Sequence, residues 1–161
     1  MGQQIKYLFI TALLILIQTQ AMRLLSLEGM TPDILTIWVV YIAIRHGHPT
    51  GTIWGFIIGL AFDLVTGNFI GLSALTKTIC GFIAGYFYNE NKEVIILRSY
   101  RFIVIVLSVS FIQNVVYFLI FTQGTNIGMT RAIFEFGLVT TLYTAIISLI
   151  PMFIFSRKTS R

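Results

Sequence analysis

Charge is what this sequence has least of. Asp, Glu, Lys and Arg make up 11% of 161 residues, against about 25% in an ordinary soluble domain, and so few cannot cover a water-facing surface. A single cysteine, Cys80, lies in an apolar stretch and excludes an intrachain disulfide or a cysteine metal cluster. The two histidines fall together in His46-Gly47-His48-Pro49. Without further ligands nearby they make a weak metal site, and their turn position explains them as well. No HExxH, P-loop or nucleophile motif occurs, so no cofactor, metal or catalytic residue is expected. Basic residues exceed acidic ones, 11 to 6, yet they are scattered rather than gathered in an arm, which gives nucleic-acid binding no support.

What is present is apolar: 57% of the residues are hydrophobic and mean hydropathy is +0.88. Such side chains have to face lipid. A bilayer-spanning helix takes about 20 apolar residues, so six spans use ~120 positions and leave ~40 for termini and connections. The expected fold is therefore all-α, one integral membrane domain over 1–161, a six-transmembrane-helix bundle with spans near 6–25, 31–47, 50–66, 71–88, 101–121 and 131–155. The apolar run after Lys6 looks like a signal peptide, but Thr19-Gln20-Ala21 is a poor cleavage site and further spans follow. It is read as a retained first helix. Gly2 is no myristoylation signal, because position 6 is Lys.

Span 2 opens at Thr31-Pro32-Asp33, where Thr31 can cap, Pro32 suits the first helical position and Asp33 complements the helix dipole. Its charge-free core, Ile34 to Ile44, is too short for ~30 Å of hydrocarbon. Pro32, Asp33 and Arg45 are accordingly expected as helix-end anchors, Arg45 snorkelling outward, with Gly47 and Pro49 ending the helix. Span 3 places Gly51, Gly55, Gly59, Asp63 and Gly67 four residues apart, and span 4 carries Ala74, Thr78, Gly81 and Gly85. Small-residue stripes let helix backbones approach closely in lipid, which makes these two spans a packed hairpin around Thr66 to Ile70. Pro151 is expected to bend the last turns of span 6.

Counting cations by side puts eight on one face of the membrane and two on the other, Arg23 and Arg131, with Lys77 inside span 4. The positive-inside rule then makes both termini cytoplasmic.

Intramembrane polar residues are costly and find partners. Asp63 and Lys77 fall at similar depth in adjacent antiparallel spans, so an Asp63–Lys77 ion pair is one expectation; the other is that Asp63 accepts amides of its own turn while Lys77 snorkels. Gln18, Gln113, Asn114 and Glu135 fall in the outer half with them. Either they line a cavity for a small polar ligand or they join helices by hydrogen bonds. Arg131 and Glu135, four apart, can simply pair.

The segments Pro32-Asp33-Ile34-Leu35, Val39 to Gly47, Gly55-Phe56-Ile57-Ile58-Gly59-Leu60-Ala61-Phe62-Asp63-Leu64-Val65-Thr66-Gly67, Gly71 to Leu75 and Gly81 to Gly85 resemble, in order and spacing, the rod shape-determining protein MreD family. His46 stands where that family often has a second Arg. The resemblance implies a multi-pass bacterial inner-membrane subunit of the cell-elongation machinery. It would associate with membrane lipid, with a bitopic MreC-like protein, and directly or indirectly with an MreB-like filament and the peptidoglycan synthases. It also implies an overall fold similar to energy-coupling-factor transporter substrate-binding subunits. Two functions compete: a non-enzymatic interaction protein whose grooves hold the partner's single span, and a vitamin-transporter-like binding subunit using the outer-half polar residues. An enzyme acting on lipid-linked precursors is a remote third.

Overall fold

The computed structural model describes residues 2–24, 31–67, 69–91, 93–121, 134 and 137–152. Glu135, Arg131 and the start of the sixth expected span lie outside the described residues. The helices are α1 (Gly2–Leu24), α2 (Ile34–His46), α3 (His48–Thr66), α4 (Leu72–Gly85), α5 (Glu93–Arg98), α6 (Tyr100–Phe121) and α7 (Leu138–Ile147). No strand occurs among the described residues. Among the described residues two helices, α3 and α6, are long and apolar enough to cross a membrane by themselves; four shorter apolar helices cover 4–20, 34–46, 72–85 and 138–152.

Helix α2 lies at the centre, touching every other helix of the bundle. Nine of its thirteen residues are buried, as expected of a helix that is apolar all round. Its length of about 20 Å, at 1.5 Å per residue, falls short of the hydrocarbon thickness. Because α2 faces protein rather than lipid, it has no need to match that thickness, and its first turn starts within the bundle.

The expected cap at Thr31 is displaced to Asp33, whose carboxylate accepts from the Thr36 amide at 3.0 Å. Pro32 precedes the helix instead of opening it. Gly47, at φ 84°, ends α2 and adjoins α3 directly, and Pro49 sits in the first turn of α3. Pro49 therefore starts a helix instead of ending one, since its missing N–H is no loss there.

Helices α3 and α4 form the most extensive pairing in the bundle. A Cβ added at Gly55 would overlap the Lys77 carbonyl, and one at Gly59 would overlap Ser73 and Ala74. Gly51 and Gly81 face each other's backbone, and Gly85 abuts His48. Gly67 does not belong to this contact. It lies at φ 67° with open space where a side chain would stand, and its amide bonds the Asp63 carbonyl. It stops the helix in the left-handed conformation that glycine adopts without a Cβ penalty.

The exterior is the reverse of a soluble protein's. Phe9, Leu8 and Leu16 on α1, Ile53, Phe56 and Leu64 on α3, and Val104 and Ile112 on α6 are exposed, whereas Thr36, Asp63, Thr76, Lys77, Gln113 and Thr144 are buried. Apolar side chains outside and polar ones inside is the pattern a hydrocarbon solvent selects.

Candidate functional site: a buried polar network

Starting α2 inside the bundle creates a physical problem, because residues 31–33 are non-helical backbone surrounded by protein. Such backbone is tolerated at membrane depth only where its polar groups are satisfied. Gln18 of α1 does part of this: its amide nitrogen donates to the Pro32 carbonyl at 2.8 Å and its oxygen accepts from the Ile34 amide at 3.0 Å. The Asp33 amide donates to the Thr144 hydroxyl of α7 at 3.0 Å.

The Asp33 side chain then gathers the centre. Its Oδ2 accepts from Lys77 Nζ at 2.5 Å and from Gln113 Nε2 at 2.7 Å. Lys77 also donates to the Thr36 hydroxyl at 3.2 Å, the Thr36 hydroxyl bonds Gln113 Oε1, and the Cys80 thiol donates to that same oxygen at 3.2 Å. Lys77 is 2% exposed and the Asp33 side chain 19%, so this is a nearly enclosed ion pair with hydrogen bonds on both partners. Such a pair is tolerable in low dielectric only when its remaining donors and acceptors are met. Here they tie together α2, α4 and α6, while Gln18 and Thr144 extend the connection to α1 and α7.

Asp63 takes no part. Fully buried, it reaches across the turn and accepts the amides of Gly71 at 2.8 Å, Ser73 at 3.1 Å and Ala74 at 3.3 Å. These are the orphan donors at the start of α4, and a carboxylate there complements the helix dipole. The expected Asp63–Lys77 ion pair is thus wrong. Lys77 does not snorkel either, because Asp33 supplies an internal partner. Among the described residues the single ion pair is Lys77–Asp33.

Of the other expected residues, Gln113 joins the central network, while Asn114, one position on, donates to the Thr141 hydroxyl at 2.9 Å and the Gly137 carbonyl at 3.3 Å, fastening α6 to α7. Arg45 does not extend freely: its Nη1 donates to the Tyr41 hydroxyl at 2.6 Å. His46 is bonded to the Tyr7 hydroxyl at 2.8 Å, and His48 stacks on Tyr86, so the two imidazoles have separate packing roles. Among the described residues no group of three or more His, Cys, Asp or Glu is placed to hold a metal.

Nothing in the sequence marks Thr36, Cys80 and Thr144 as network members. The one signal is the short charge-free core of α2: a helix too short to span begins inside, which brings Asp33 to the depth of Lys77.

Apolar helices joined by internal polar links, with an apolar perimeter, define a helical membrane protein. The model of the rod shape-determining protein MreD family matches residues 2–159, and the chain belongs to that family. No curated protein and no solved structure matches it. The protein is accordingly a membrane component of the machinery that determines rod shape.

Proposed function

We propose that this protein is a non-enzymatic, multi-pass subunit of the bacterial inner membrane that works by holding other members of the cell-elongation complex. The first partner is an MreC-like bitopic protein. An MreB-like filament and the peptidoglycan synthases are reached directly or through it, in support of lateral wall synthesis. The apolar runs support six spans forming one membrane domain and the cation distribution supports cytoplasmic termini; the resemblance to the family implies an arrangement like that of energy-coupling-factor binding subunits.

The observation that carries this reading is where the polar groups go. Asp33, Lys77, Gln113, Asp63 and Asn114 are all engaged with one another or with backbone, and the perimeter offers apolar helix faces. A ligand-binding role of the vitamin-transporter kind needs several of these same groups turned toward a cavity.

Depletion in a rod-shaped host should give rounded cells with dispersed wall insertion, and the tagged protein in mild detergent should recover an MreC-like companion. Unaltered rods after depletion would end this reading. Thermal stabilisation by a vitamin-sized ligand, lost on Asn114→Ala, would favour the transporter alternative.

A further inference from the structure

At the end of the bundle opposite the α3–α4 turn, a cleft of about 270 Å³ opens between α5, α6 and the turn that follows α4, lined by Phe87, Ile96, Tyr100, Arg101, Val104 and Ile105. Five of the six are apolar or aromatic. Arg101 stands among them in the first turn of α6, with the long apolar stretch to Phe121 beginning immediately after it. Tyr100 is 70% exposed, as an aromatic residue at the hydrocarbon–headgroup boundary commonly is. Beside the cleft, α5 exposes Val94 and Ile95 while burying Ile96 and Leu97. A six-residue helix so apolar on its outer side fits a position in the membrane surface, not in water.

The charge at this end is uneven. Glu93, at the start of α5, acts electrostatically on Arg45 and His46, and Glu90 acts electrostatically on Tyr88. Among the described residues neither acid forms an ion pair with Arg101, whose side chain is exposed, and Arg98, three residues earlier at the end of α5, adds a second cation. A guanidinium lining an apolar cleft, where the apolar run of α6 begins, matches a molecule that is anionic at one end and a hydrocarbon chain at the other.

We propose that this cleft is a binding site for an anionic phospholipid, its phosphate held by Arg101 and one acyl chain lying along Phe87, Val104 and Ile105. The test uses the full-length protein in mild detergent with equimolar phosphatidylglycerol and phosphatidylcholine, retained lipids being counted by native mass spectrometry. Wild type retains phosphatidylglycerol preferentially. Arg101→Gln lowers that retention about fivefold, the factor one cation near an anionic surface contributes, and Val104→Trp, which fills the cleft and leaves every charge in place, lowers it comparably. If Val104→Trp lowers the melting temperature, Tyr100→Ala takes its place as the cleft variant. Equal retention of the two lipids by wild type overturns the proposal. So does loss in only one class of variant, because charge alone means diffuse attraction and cleft shape alone means no headgroup recognition.

Discussion

Removing the Lys77 ammonium would leave the Asp33 carboxylate buried beside Gln113 and Thr36 with no cation. Breaking one side of a buried pair commonly costs about 3–5 kcal/mol, whereas replacing both sides is far milder. Lys77→Met is therefore expected to destabilise strongly, and the double variant Asp33→Asn, Lys77→Met to recover much of the loss, in unfolding measured in mixed micelles. Similar losses in single and double variants would mean that the pair is not coupled. Asp63 tests a different function of a carboxylate. Asp63→Ala orphans three amides at the start of α4 and should cost about 1.5–3 kcal/mol, the range for a hydrogen bond to a charged group. Asp63→Asn keeps an acceptor and should cost less. Neither Asp63 variant should alter the Asp33–Lys77 coupling, since the two carboxylates serve separate networks.

Among the elements, α3 and α4 depend on close backbone approach. Gly55→Leu drives a side chain into the Lys77 carbonyl, so the helices must separate and carry Lys77 away from Asp33. The expected result is loss of accumulation in the membrane, read by immunoblot. Gly67→Ala changes no contact and only forces a Cβ into the left-handed region, at a cost of about 1–2 kcal/mol, and the protein should still accumulate. The glycines of this stripe thus occupy two kinds of position. Spacing reveals the stripe, but only backbone dihedrals separate the helix stop from the packing surface. The same limit applies to α2: its apolar run and terminating Gly47 are legible, while its cap at Asp33 sits among bonds from Gln18 of the preceding helix and Thr144 of a helix distant in sequence.

For the molecule as a whole, the prediction concerns topology. Reporter fusions at both termini should be active only for cytoplasmic enzymes, and a fusion in the α3–α4 turn only for periplasmic ones; the opposite pattern would overturn the cation count. Composition alone dictated that most of this chain meets hydrocarbon, because too few charges exist to cover it with water-facing surface. Periodic small residues dictated that α3 and α4 approach closely, and short motifs in order pointed to the family. Which buried charge meets which was a matter for tertiary structure. Depth along a span can be estimated from sequence, but rotation about the helix axis, and the placing of α2 inside the bundle, follow from packing among all the helices at once. That packing gave Lys77 to Asp33 and left Asp63 to the amides of α4.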